Sequence, residues 1–442
     1  MTDKIYERDA YAESARGTVV FARTFGNRTV VSFDRTVIFP GGGGQPLDEA
    51  EITFEKSAIF EGGKGYVSFA VAEAYRTEEE AAEGKRKKSS EEEDGDDVYY
   101  ELVSSGDEKI PSGLLSGKTA EMRVNMKKRK ALMARHTGEH ILSYEIKELF
   151  GAENVGFHMN DEFATCDFNA LLDEEQISAA ERAANAAVRE NRRVFAEYFD
   201  EDGIKDVRLR KKTSWLSGKM RVVFVDGNDS CTCCGLHVSH TGEIGLIKVV
   251  SSQKLRGGTR LFFICGEEAF EDYVQKHRIV TRLGEKYSVK PQGIIAAEEQ
   301  KDEKIRALTE TLRKKSEFVA RAILEKSERI GGFDVCISDV IDDTEAEIIT
   351  KTGSGSPSRA VLYKKGDGRI GYVFVSPGAS PESGREEKTS CALLCRRANE
   401  LLGGKGGGRP SFASGTAEFA GDFSEAAEKF RGVFADTGLE QI

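Results

Sequence analysis

Short β-rich runs alternate with glycine-rich turns over residues 17–75: "TVVFART", "RTVVSFD", "TVIF", "AEITFE" and "YVSFAVA". Alternating apolar and polar positions in runs of this length put one face of each strand on a core and predict a small N-terminal β-barrel or sandwich. The pattern breaks at residue 77 and resumes at "DVYYELV". Near residue 125 the period changes. Residues 128–150, "KRKALMARHTGEHILSYEIKELF", contain no glycine or proline except Gly138, and Gly151 follows as a stop; this predicts a helix. A second helix is expected over 173–192, with Asp173 as N-cap and Gln176 three positions on. Strands return at "MRVVFV", "EIGLIKVV" and "TRLFFIC". Helices and strands mixed in this way predict an α+β domain.

Residues 294–330 carry a long helical pattern. Ile305, Leu308, Leu312, Val319 and Ala322 recur at a 3–4 spacing that Lys315 interrupts. The segment reads as one arm of a coiled coil or helical hairpin, or as an ordinary amphipathic helix. The remainder, with "FDVCISDV", "RAVLYKK", "IGYVFVS" and a helix through "SCALLCRRANELL", predicts a small α/β domain. The expected division is a β-barrel over 1–125, an α+β domain over 126–277, a helical linker over 278–330 and a C-terminal α/β domain over 331–442.

Composition narrows the class. The 442 residues exceed the roughly 250–300 at which one core stops growing. No run approaches the ~18 apolar residues of a membrane helix, and the charged start "MTDKIYERDAY" is no signal peptide. The expectation is a soluble cytoplasmic protein with no membrane partner. Eight cysteines are too sparse for a disulfide scaffold. Three of them crowd into "CTCCGLH", where metal chemistry is the better reading.

Net charge is −11. Residues 77–97 hold ten acids and four bases and predict a solvated insertion. Basic clusters lie at 127–130 and 208–212, so the acidic total does not exclude a nucleic-acid partner.

Three motifs carry chemistry. His136 and His140 are four apart on the predicted helix and share a face. "HTGEH" also satisfies H-x-x-E-H, the pattern of one class of zinc peptidase. Cys233 and His237, in "CTCCGLHVSHTGEIG", add a thiolate and an imidazole at a spacing that suits Zn2+. A separate structural knuckle built on Cys231, Cys233 and Cys234 is the alternative. H-x-x-x-H and C-x-x-x-H together are far more specific than either half and count against the peptidase, which completes its site with a carboxylate. Glu139 is then expected to be an exposed helix glutamate. The third motif, "DRTVIFPGGGGQP" (34–46), lacks the Lys-Ser/Thr of a phosphate loop.

These motifs in this order resemble the editing domain of alanyl-tRNA synthetase and its free-standing relatives, the alanyl-tRNA editing proteins. The likeness rests on Asp34, Thr36, Pro40 and Gly42 to Gln45; on His136 and His140; on Cys233, His237 and Thr241 to Gly245; and on "GFHMN" at 156–160. "GGKGGGRPSFASG" (403–415) is similar to the glycine-rich motif of the synthetase's C-terminal domain. Cys234 and Gly235-Leu236 depart from the family pattern.

The resemblance implies a trans-editing hydrolase that removes serine or glycine from mischarged alanine tRNA. It implies one Zn2+ per chain on His136, His140, Cys233 and His237. Gln45 and Thr36 would act at the aminoacyl ester, with Gly42, Gly43, Gly44 and His158 binding substrate. Lys127, Lys128, Arg129, Lys130, Arg135, Lys405 and Arg409 would meet RNA, and a homodimer would form through the C-terminal domain. Nothing resembles an aminoacylation domain. The other readings are a zinc metallopeptidase and a non-catalytic tRNA-binding protein with structural zinc.

Overall fold

The structure is a computed structural model. It describes all residues except 27, 60–61, 86–96, 105–111, 161, 212–218, 353–356, 366–367, 378–389, 419–420 and 436–442. The chain divides into two compact units, Met1–Val280 and Thr281–Ile442.

The first unit opens with a closed six-stranded barrel. Around it run Ser14–Phe25, Arg28–Phe33, Tyr99–Ser104, Tyr66–Tyr75, Ala50–Glu55 and Thr119–Val124, each antiparallel to its neighbours. The period-two apolar positions fill its interior, among them Val31, Phe33, Ile52, Phe54, Phe69, Tyr100 and Met122.

The acidic stretch is not wholly a solvated insertion. Residues 78–83 form a short helix capped by Thr77, with Glu80 and Ala81 buried. Ala81 packs with Val30 and Tyr75, and Arg28 donates to the Ala81 and Ala82 carbonyls. Its remaining part, 86–96, lies outside the described residues.

The helix Met126–Phe150 follows. The Asn125 side chain accepts from the Lys128 N–H, and Gly151 ends the helix in the left-handed conformation. Helix Glu174–Arg189 packs beside it, closed by the expected Asp173–Gln176 capping box. A four-stranded antiparallel sheet completes the layer, in the order Ile247–Leu255, Gly258–Cys265, Ala164–Phe168, Asn154–Met159. Gly138 is required in mid-helix because a Cβ there would lie 2.7 Å from Cys265 Sγ. A separate three-stranded sheet, Val194–Phe199, Met220–Val225 and Ser230–Thr232, leads into the cysteine loop. The strand expected from residue 243 begins only at Ile247; Thr241–Ile244 is a 3-10 turn. Among the described residues no helix is long and apolar enough to cross a membrane.

The second unit holds the helix Ile294–Leu324 and a six-stranded sheet, in the order Glu328–Ile330, Phe333–Ser338, Ser358–Lys364, Ile370–Val375, Phe412–Ala417, Gly404–Arg409. Phe333–Ser338 and Ser358–Lys364 run parallel; the other described pairs are antiparallel. The glycine-rich motif forms a β-hairpin of Gly404–Arg409 and Phe412–Ala417. Residue 277, the expected domain end, lies inside the helix Glu267–Tyr287.

Candidate metal centre

His136 and His140 sit mid-helix, one turn apart, and both are buried. Cys233 and His237 come from the loop after Ser230–Thr232. Arg221 holds that loop, donating to the Cys233 carbonyl at 2.7 Å and the Gly235 carbonyl at 2.9 Å. At Gly235 the chain passes so near the helix that a Cβ would sit 2.1 Å from His136 Cε1. One ligand atom from each of His136, His140, Cys233 and His237 falls within 4.8 Å of the others. Cys233 Sγ is 3.3 Å from His136 Nε2 and 3.4 Å from His237 Nε2.

Hydrogen bonding fixes the tautomers. Gln45 Oε1 accepts from the Leu236 N–H at 2.9 Å and lies 3.1 Å from His136 Nδ1. An amide oxygen only accepts, so His136 Nδ1 keeps a proton, and in the neutral ring the lone pair that can take a metal is on Nε2. Thr137 Oγ1 spends its proton on the Met133 carbonyl. It therefore accepts from His237 Nδ1 at 3.1 Å, and His237 Nε2 is likewise a lone pair. His140 Nδ1 makes a 2.9 Å ion-pair contact with Asp229 Oδ2, not an aligned hydrogen bond.

Burial alone would raise the Cys233 thiol, but charge on His136 and hydrogen bonds with the three histidines hold it well below the ordinary thiol range. Burial and the charge of His136 push His237 well below its ordinary value. Once a cation displaces the protons that His136 and His140 hold toward the thiolate, one thiolate and three imidazoles are a donor set for a divalent cation. The cluster can hold a metal, and its N and S donors fit zinc.

Residues 220–262, which include the cysteine loop, match the family described as "Threonyl and Alanyl tRNA synthetase second additional domain". A Pyrococcus horikoshii protein, "Alanyl-tRNA editing protein AlaX-L", is 26% identical over 98% of this chain and 99% of its own length. The similarity to that alanyl-tRNA editing protein runs along nearly the whole of both chains. "Alanyl-tRNA editing protein Aarsd1" of Bos taurus is 24% identical over 63% of the chain and 57% of its own. An "Alanine--tRNA ligase" of Ignicoccus hospitalis is 22% identical over 84% of the chain, which spans only 37% of that enzyme.

Around the cluster the other expected residues divide. The glycine loop lies against it: a Cβ on Gly43 would be 3.5 Å from Cys233 Sγ and 3.3 Å from Cys234 Sγ. Gly42 and Gln45 close the turn by exchanging backbone hydrogen bonds. Gly44 has φ +82° and would drive a Cβ to 2.6 Å from Phe157. Leu236, the departure from the family pattern, buries its side chain in the core.

Several expectations are corrected. His158 is exposed, and strand alternation turns Phe157 to the cluster instead, its ring 5.2 Å from His136. Thr36 is fully buried in the barrel. Tyr100 donates to the Ile38 carbonyl at 2.6 Å, so Thr36 must donate to Tyr100 while accepting from the Ile38 N–H. Its proton is thus committed inside the barrel. Arg129 and Arg135 are 1% exposed. Arg129 pairs with Asp48 and donates to the Ala10, Ala12 and Val37 carbonyls. Arg135 pairs with Glu268. Neither can meet a phosphate. Lys127, Lys130, Lys405 and Arg409 are exposed; Lys128 is half-buried, 3.6 Å from Glu49.

Glu139 is buried, not exposed. It accepts from Ser143 at 2.6 Å and Asn154 at 2.7 Å, and these partners hold it away from a peptidase's base role. Asp229 and Arg221 had no local sequence signal; Arg210 lay in the basic cluster 208–212 and Phe157 in "GFHMN" without either being singled out. Only the general rule that a metal-binding histidine leans on a carboxylate pointed toward an acid such as Asp229.

Proposed function

We propose that this chain is a cytoplasmic trans-editing hydrolase that deacylates mischarged alanine tRNA, Ser-tRNA(Ala) foremost and Gly-tRNA(Ala) second, and does not aminoacylate. The observation that carries the reading is the convergence of three imidazoles and one thiolate directly beneath the glycine loop. One Zn2+ on His136, His140, Cys233 and His237 would supply a Lewis acid for an ester carbonyl or a water.

Gln45 has a double role. Its oxygen orients His136 and joins the glycine loop to the cysteine loop through Leu236. Its Nε2 is buried without a partner, a donor suited to an ester oxygen. The Phe157 ring beside His136 gives an apolar wall that excludes water from that side. Lys127 and Lys130 crowd the positive end of the Met126–Phe150 helix, whose first turn has no acid. Cations there are unfavourable alone and favourable beside RNA phosphates. Lys405 and Arg409 would make an RNA contact of their own in the C-terminal unit, and a homodimer would use that unit.

Single-turnover deacylation of Ser-tRNA(Ala), Gly-tRNA(Ala) and Ala-tRNA(Ala), with and without chelator, tests the reading. Chelator-sensitive release of serine that spares alanine is expected. Tight tRNA binding with no deacylation would leave a non-catalytic tRNA-binding protein. Lys127→Ala with Lys130→Ala should weaken binding and flatten the salt dependence by about 0.7–0.9 per lost contact.

A further inference from the structure

The four candidate ligands are backed by unlike groups. Behind His140 lies a buried charged chain. Asp229 Oδ2 sits 2.9 Å from His140 Nδ1, Asp229 Oδ1 accepts from Arg210 Nε at 2.9 Å, and Arg210 Nη2 lies 3.7 Å from Glu139 Oε1. Ser143 and Asn154 then fix Glu139. Two carboxylates and one guanidinium leave a net negative charge in a place with almost no solvent exposure, where only nearby positive charge can offset it. It lies against His140 and raises the basicity of that ring's outward nitrogen.

The other two histidines lean on neutral groups. His237 rests on Thr137, which is fixed on the same buried helix by Met133 and also receives the Val238 N–H. His136 rests on Gln45, which belongs to a separate element, the glycine loop, where Gly43 and Gly44 have φ +60° and +82°. The other end of the Gln45 amide has no partner. Whatever engages that nitrogen acts on the same side chain that orients His136.

We propose that the ligands are unequally held: Asp229, Arg210 and Glu139 make His140 the fixed ligand, and His136 is the exchangeable one, coupled through Gln45 to the substrate. This rests on the metal reading of the cluster. It resolves how four protein donors, a set usual for closed structural sites, could serve a reaction that needs an open position. Asp229 and Arg210 are positioning residues here, since they act through His140.

The test compares Asp229→Asn with Gln45→Ala in the full-length protein, by chelator competition for Zn2+ and by visible absorption of the Co2+-loaded form. Asp229→Asn should weaken Zn2+ binding by about 10–100-fold, and Gln45→Ala by clearly less. A non-hydrolysable 3′-serylamido adenosine should change the Co2+ spectrum of the native chain and of Asp229→Asn, and not that of Gln45→Ala. Arg210→Lys and Glu139→Gln give the same comparison should Asp229→Asn fail to fold. Equal or reversed losses of affinity, or a spectral response that survives Gln45→Ala, would overturn the proposal while leaving the metal site standing. A native chain that takes up neither Zn2+ nor Co2+ would remove the metal reading and this inference with it.

Discussion

The helices Met126–Phe150 and Ile294–Leu324 are both long and both rich in charge, yet they are built on opposite plans. In the first, fourteen of 25 residues are buried, including Arg129, Arg135, His136, Thr137, Glu139, His140 and Ser143. In the second, Ser316 and Ala320 are the buried positions among 31. The first helix pairs its polar groups with distant elements: Arg129 with Asp48, Arg135 with Glu268, His136 with Gln45, His140 with Asp229. The second pairs them with itself, Lys301 with Glu298 and Arg313 with Glu310 and Glu317. Pairs within a helix support a helix that would exist anyway, each by a few tenths of a kcal/mol. Pairs between elements fix where separate parts of the chain meet, and that is what a candidate metal cluster drawn from two segments and backed by a third requires.

The largest effect should come from the ligands themselves. Cys233→Ala and His140→Ala should each weaken Zn2+ binding by more than about 100-fold, beyond what loss of an outer partner does, and abolish deacylation. His158→Ala, on the exposed face of its strand, should do neither. Metal content and single-turnover rates decide it. Full zinc occupancy in both ligand variants would break the assignment.

The next effect belongs to the buried pair at the start of the same helix. Arg129→Ala leaves Asp48 charged in the core and should cost about 3–5 kcal/mol in urea unfolding. Removing both charges, as Arg129→Met with Asp48→Leu, should recover most of that loss. A double variant as unstable as the single one would show that the backbone hydrogen bonds of Arg129 dominate, not its charge.

The same contrast explains what could be read from the sequence. The barrel followed from alternation because half of each strand faces one core. His136 and His140 followed from spacing because i and i+4 meet on any helix; Cys233 and His237 lie in a loop, where the C-x-x-x-H pattern and its likeness to a family motif, not a helical period, pointed to them. Burial of Arg129 and Arg135 was not legible: a basic run reads as solvated until the chain supplies Asp48 and Glu268 from 81 and 133 residues away. Phe157 was mistaken for His158 because alternation sets which residues share a face, but not which face meets the site. Asp229 and Arg210 belong to loops, where no period exists to expose their role. Glu243 and Ile244 read as a strand start because the single 3-10 turn that holds them, Thr241–Ile244, has no periodicity of its own.

A smaller effect is expected where a charged group is tied between segments yet remains exposed. Burial would raise the Glu243 carboxyl, but hydrogen bonds from Ser239, Tyr11 and the His240 N–H hold it below its ordinary value of 4.5. Tyr11 comes from the N-terminal segment, 232 residues away. A lowered carboxylate stabilises the folded chain fully above its unfolded value, and the contribution is lost as pH falls through the folded one. Glu243→Gln should therefore lower the urea midpoint at pH 7, and the difference should shrink below about pH 4. A penalty that persists in acid would assign the effect to packing.

The smallest effect is expected on the exposed helix. Arg313 hydrogen-bonds Glu310 and lowers its carboxyl to about 2, a shift as large as many in buried sites. Both side chains stand in solvent, where screening and side-chain entropy cancel most of what such a pair gains. Arg313→Ala should leave the urea midpoint unchanged within error. The residual effect should vanish in about 1 M salt, where the Debye length falls to about 3 Å, and should also fade as pH drops from 4.5 toward 2, where Glu310 takes up its proton. The exposed Ile305, Leu308 and Leu312 on the same helix make the result informative. A loss approaching that of Arg129→Ala would mean that this helix is covered in solution, by a second copy or by RNA. The contrast would then lie between two buried helices, one covered within the chain and one by a partner. Repeating the measurement across a wide range of protein concentration would separate a second copy from the rest, because only that penalty changes with dilution.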